Sequence, residues 1–132
     1  MQAWRLFDYH PEPGNRPIED WYQGQSEEVQ AEFDMALLAF SAAGDWTDAA
    51  EITALEGTFL GLYQIHIDIP LPNGDELQYA VIGAWRPDSR NFVLFAVCEV
   101  EGHNYDPPLD IPLSCKQAWE KGKGETSEHN FY

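Results

Sequence analysis

Between residues 60 and 69 apolar and polar side chains alternate. Tyr63, Ile65, Ile67 and Ile69 share one face, while Gln64, His66 and Asp68 share the other. That period of two predicts a strand with one buried face, and it puts His66 on the wetter side. Pro72-Asn73-Gly74-Asp75 follows. Asn-Gly tolerates the positive φ of a tight hairpin turn, so residues 77–85 are expected to return antiparallel. Arg86-Pro87-Asp88-Ser89-Arg90 reads as a second turn, and residues 92–98, apolar on both faces, as a central strand.

Before this meander the period changes. Residues 2–9 mix aromatic and polar positions and read as an opening strand, which the segment PEPGNRP breaks. Asn15 and Pro17 mark the start of a short helix with Ile18, Trp21 and Tyr22 on one face, ended by Gly24. Ser26 is a suitable N-cap for a second helix, with Glu27 and Glu28 in the first turn where the helix dipole favours them. Val29, Phe33, Ala36, Leu37 and Phe40 form its apolar stripe, and Gly44 suits its C-terminal end. The two helices make a hairpin that needs a sheet to cover its apolar face.

The remaining segments are less periodic. Residues 52–55 read as a short strand or extended arm. Residues 99–112 read as a loop, because Gly102, Pro107, Pro108 and Pro112 oppose regular structure. A short helix is expected over 114–121, then a tail or final short strand over 122–132. The expectation is an α+β fold: an N-terminal strand and helical hairpin packed on an antiparallel β-meander, with a short C-terminal helix. With 132 residues and 44% hydrophobic side chains, the chain supports a single domain with one core.

Charge narrows the partners. The formal net charge is −16, and a field of that sign repels phosphate backbones and anionic lipid. Residues 1–110 carry 20 acids against 4 arginines, while residues 111–132 carry 3 acids against 3 lysines. The absence of a long apolar run and of a signal-type start makes a cytoplasmic location the expectation, with no membrane partner. Cys98 and Cys115 form no CxxC pair and read as reduced core thiols.

Several side chains offer chemistry. His66 is a candidate acid or base, since its ordinary pKa lies near neutrality; an exposed strand histidine without a role is the plainer reading. His103, beside Tyr105 and Asp106, joins His66 only if the loop folds over the sheet. Lys116, Lys121 and Lys123, with Arg86 and Arg90, are candidates for contacting an anionic substrate, against the plainer reading of solvated cations paired with nearby acids. No metal-ligand cluster, P-loop, nucleophile elbow or dinucleotide fingerprint is present, so neither a metal nor another cofactor is expected.

The order of elements, together with local residues, resembles the RelE/ParE/HigB toxin superfamily, in particular its phage-derived HigB-like branch. Gly14-Asn15-Arg16-Pro17-Ile18-Glu19-Asp20-Trp21 is similar to that branch's approach to its first helix. Leu55, then Gly61-Leu62-Tyr63-Gln64-Ile65, is similar to its leucine and Gly-Leu-Tyr-Glu-Leu strand. Tyr79-Ala80-Val81-Ile82 stands where the family usually writes Tyr-Arg-Val-Leu, and residues 91–97 fit its next apolar strand.

The resemblance implies a metal-free, ribosome-dependent mRNA endoribonuclease held in check by an antitoxin. It also implies a catalytic residue in the C-terminal segment, where His129 and Tyr132 stand. Such chemistry activates a ribose 2′-hydroxyl and stabilises a crowded phosphorane with cations. In this chain His66 and Ala80 occupy positions where the family has arginine, and Glu99, Val100, Glu101 and Gly102 replace its lysines. Two functions therefore stand side by side. One is a toxin of a toxin-antitoxin system, in which histidines replace the basic groups and the ribosome and mRNA are the targets. The other is a non-catalytic acidic module on the same scaffold that binds a basic or antitoxin-like protein partner. A homodimer through exposed strand edges is open to either.

Overall fold

The computed structural model describes residues 5–42, 52–85 and 90–129. Gly44, Arg86 and Tyr132 lie outside the described residues. The elements run β1 (Arg5–His10), α1 (Pro17–Gln23), α2 (Glu27–Ala42), β2 (Ile52–Ala54), β3 (Tyr63–Pro70), β4 (Glu76–Trp85), β5 (Asn91–Glu101), β6 (Asn104–Asp106), α3 (Asp110–Glu120) and β7 (Glu125–Glu128). Among the described residues the fold is mixed α+β: three α-helices and one seven-stranded, mostly antiparallel sheet. Its path is β2-β3-β4-β5-β1-β7, with β6 paired to β5. β1 lies parallel to β5, and the other pairings are antiparallel.

Local chemistry explains the N-terminal half. Pro17 occupies the first turn of α1, where its missing N–H costs nothing. Ser26 Oγ accepts the Val29 N–H at 3.3 Å, capping α2 as its sequence predicts. Ile18, Tyr22, Val29, Phe33, Leu37 and Phe40 then bury themselves against Ile65, Ile67, Ile69, Val81, Leu94 and Val97. At the β3–β4 turn only Gly74 takes positive φ, at +90°, while Asn73 Oδ1 accepts the Asp75 N–H at 3.0 Å.

The second face of the sheet is also a core. Tyr9, Leu62, Ala80, Ile82, Ala84, Val93, Phe95, Ala96 and Cys98 form it, with Leu109, Leu113 and Trp119 of the α3 region packed over them. A register shift between Ile82 and Gly83 leaves Phe95 as an extra residue on β5. This bulge lets adjacent Phe95 and Ala96 both join the second core. Gly83 is required there, because a Cβ would run into the Val93 carbonyl and the Phe92 ring.

Two expectations change. Residues 99–112 are not a loop: β5 continues to Glu101 and returns as β6 around Gly102, at φ +63°. α3 starts at Asp110, four residues before the predicted start, because Pro112 falls in its first turn, where no N–H partner is needed. Of the two readings for the segment after α3, a tail or a final short strand, the strand is observed: β7 pairs antiparallel with β1.

Candidate functional site

β3 and β4 place His66 opposite Ala80, and β4 and β5 place Ala80 opposite Cys98. Directly opposed residues point to the same face, so the two positions where the resemblance implies arginine share one transverse row on the second face. His66 is exposed at one end of the row, but Ala80 and Cys98 are completely buried. Burial pushes the Cys98 thiol up to about 12, with the negative field of Asp106 adding to it. A cation at position 80 would have to be buried in the same apolar layer.

The segment after β5 does fold over this face, but it delivers Tyr105. Tyr105 packs against the second core, and its Oη donates to Gln64 Oε1 at 2.7 Å. Gln64, which the alternation of β3 assigned to a wet face, is buried. His103 sits exposed at the β5–β6 turn.

His129 is buried, with its Nδ1 2.7 Å from Asp8 Oδ1 and its ring 6.0 Å, centroid to centroid, from that of Phe33. The His129 N–H also donates to the Leu6 carbonyl at 2.8 Å, extending the β1–β7 ladder by one rung. The pair ties the C-terminal segment to β1 and to α2. From β3 to β7 there are four strand-to-strand steps, so His66 and His129 are about 19 Å apart across the sheet. The three candidate histidines, His66, His103 and His129, thus occupy three separate places.

The described cations diverge in the same way. Lys116 has a side chain only 16% exposed and forms an ion pair with Glu120 at 3.1 Å. It lines a cleft of about 490 Å³ together with Gly61, Tyr63, Ala84, Trp85, Trp119 and Glu120. Gly61, at φ +96°, lets the lysine in: the end of the Lys116 side chain lies 3.1 Å from where a Cβ would stand. Lys121 and Lys123 are exposed beyond α3, and the Lys123 carbonyl accepts the Tyr9 hydroxyl at 2.8 Å. Arg90 lies at the opposite end of β5, where its carbonyl accepts the Arg5 N–H at 2.8 Å. Among the described residues, Lys116 is the candidate cation that faces a cleft, and three aromatic side chains accompany it.

Among the described residues no group of three His, Cys, Asp or Glu side chains is placed to hold a metal ion, and no helix is long and apolar enough to cross a membrane. Local sequence patterns missed Asp8–His129 and Gln64–Tyr105, whose partners lie 121 and 41 residues apart. No family model, curated protein or solved structure matches the chain.

Proposed function

We propose that this chain is a non-catalytic, acidic interaction module on a RelE-like scaffold, and that it binds a basic protein partner. The observation that carries the reading is the burial of Ala80 and Cys98, at 0% exposure, beneath α3 and Tyr105. Phosphoryl chemistry on RNA needs cations close to an accessible phosphate, and a closed apolar layer occupies position 80, one of the two where the resemblance implies arginine. The succession of strand, two helices, antiparallel meander and helix supports the scaffold assignment. The charge of −16 supports a basic partner over ribosomal RNA.

A diverged endoribonuclease toxin is the second reading, and the Lys116 cleft favours it, because a cation and aromatic rings lie together there. Inducing the soluble chain in translating cells separates the two. An interaction module leaves growth and transcripts intact, while the purified chain binds poly-lysine with an affinity that falls as salt rises. Growth arrest with newly cut transcripts overturns the proposal in favour of the toxin.

A further inference from the structure

Helix α2 carries a second apolar stripe that the described residues leave exposed. Its inner stripe is buried, yet Ala31, Met35, Leu38, Ala39 and Ala42 recur at helical spacing on the outer side and are all exposed. Met35 is 63% exposed and Leu38 50%. A helix that is apolar around most of its circumference normally has partners on more than one side. Beside this stripe runs a groove of about 330 Å³ between α2 and β3, lined by Glu32, Met35, Ala36, Ala39, His66, Ile67 and Asp68. Ala36, Ala39 and Ile67 contribute its apolar lining, and Glu32 of α2 lines it as well.

Charge decides what fits. Neither α2 nor β3 contains a lysine or arginine, and Glu27 and Glu28 stand exposed at the start of the same helix. An occupant must therefore bring both an apolar stripe and cations. A second copy of this chain would add another −16, and an anionic membrane is repelled by the same field. From Ala31 to Ala42 the stripe is about 17 Å long, which matches roughly three turns of a partner helix.

We infer that the outer face of α2, with the α2–β3 groove, is a docking surface for a basic amphipathic helix of a partner protein. Apolar residues of that helix at i, i+3 or i+4, and i+7 cover Met35 and Leu38, while its flanking lysines or arginines face Glu28 and Glu32 of α2. The inference rests on the interaction-module reading and assigns it a surface.

Fluorescence anisotropy with two labelled helical peptides of about 14 residues tests it. Both carry the same number of lysines; one has a leucine stripe, and the other has serine at those positions. The chain is expected to bind the leucine-stripe peptide about ten-fold tighter. In the folded Met35→Ser/Leu38→Ser variant that preference disappears, and in Glu28→Gln/Glu32→Gln the preference stays while the salt dependence flattens. Equal binding of the two peptides, or a preference that survives Met35→Ser/Leu38→Ser, overturns the docking surface but leaves the acidic module standing. Binding of neither peptide contradicts both. A dimer in sedimentation that Met35→Ser/Leu38→Ser dissociates also overturns the inference, because a second copy then covers the stripe.

Discussion

Tyr105 on β6 donates a 2.7 Å hydrogen bond to Gln64 on β3, reaching over two intervening strands, β5 and β4. The small side chains of Ala80 and Cys98 belong to the core against which Tyr105 packs. An arginine at position 80 and a tyrosine crossing this face make competing demands on one volume.

Removing the Tyr105 hydroxyl leaves the buried Gln64 amide without that donor. Tyr105→Phe is expected to destabilise the fold by about 1–3 kcal/mol in denaturant unfolding. Gln64→Leu in the same background should then cost less than it does alone, because the two side chains act as one unit. Additive losses would mean that the pair contributes little.

The Asp8–His129 pair is the second long-range link. His129→Ala removes a buried partner of Asp8 and a contact with Phe33, with an expected loss of about 1–3 kcal/mol. Hydrogen exchange should report where the loss falls: amides of residues 125–128 lose protection while those of β4 keep theirs. Uniform loss across the sheet would contradict a local fastening role.

The two positions where the resemblance implies arginine should respond unequally. Ala80→Arg forces a charge into a fully buried site and is expected to cost more than about 3 kcal/mol or prevent folding. His66→Arg, at an exposed position, should stay within about 0.5 kcal/mol. Thermal unfolding of the two variants measures the contrast, and similar melting temperatures would contradict it.

How the chain divides into readable and unreadable parts follows from the range of each interaction. The first face was legible because Ile65, Ile67 and Ile69 alternate, and because Val29, Phe33, Leu37 and Phe40 repeat at helical spacing. Ser26 was legible as a cap because its partner is three residues away. The second face was not, since Gln64 alternates like a wet residue but is buried, and its partner Tyr105 is remote in sequence. Pro107, Pro108 and Pro112 read as breakers, although Pro112 sits comfortably in a first helical turn. The fastening of His129 was not legible, because its partner Asp8 lies 121 residues away.

Alkaline pH should weaken the fold. Cys98 is pushed from 9.0 up to about 12 by burial and then by Asp106. Burial also raises Tyr79, helped by Glu99, and Tyr9, helped by Cys115. The native state therefore holds protons that the unfolded chain releases. The stability contributed by Cys98 is complete below about 9 and is lost as pH climbs toward about 12. Stability from urea unfolding should fall across that window, and Cys98→Ala should make the fall shallower; an unchanged slope would show that Cys98 is not linked to folding.

Closure of the second face is tested most directly by thiol labelling of Cys98 in a Cys115→Ala background, with the native chain compared with the urea-unfolded chain near pH 8. Cys98 has no exposed surface and lies in one row with Ala80 and His66, so the native thiol is expected to react at least about a hundred-fold more slowly than the unfolded one. Native labelling at the unfolded rate would mean that this face is open, and it would contradict the closed-core account.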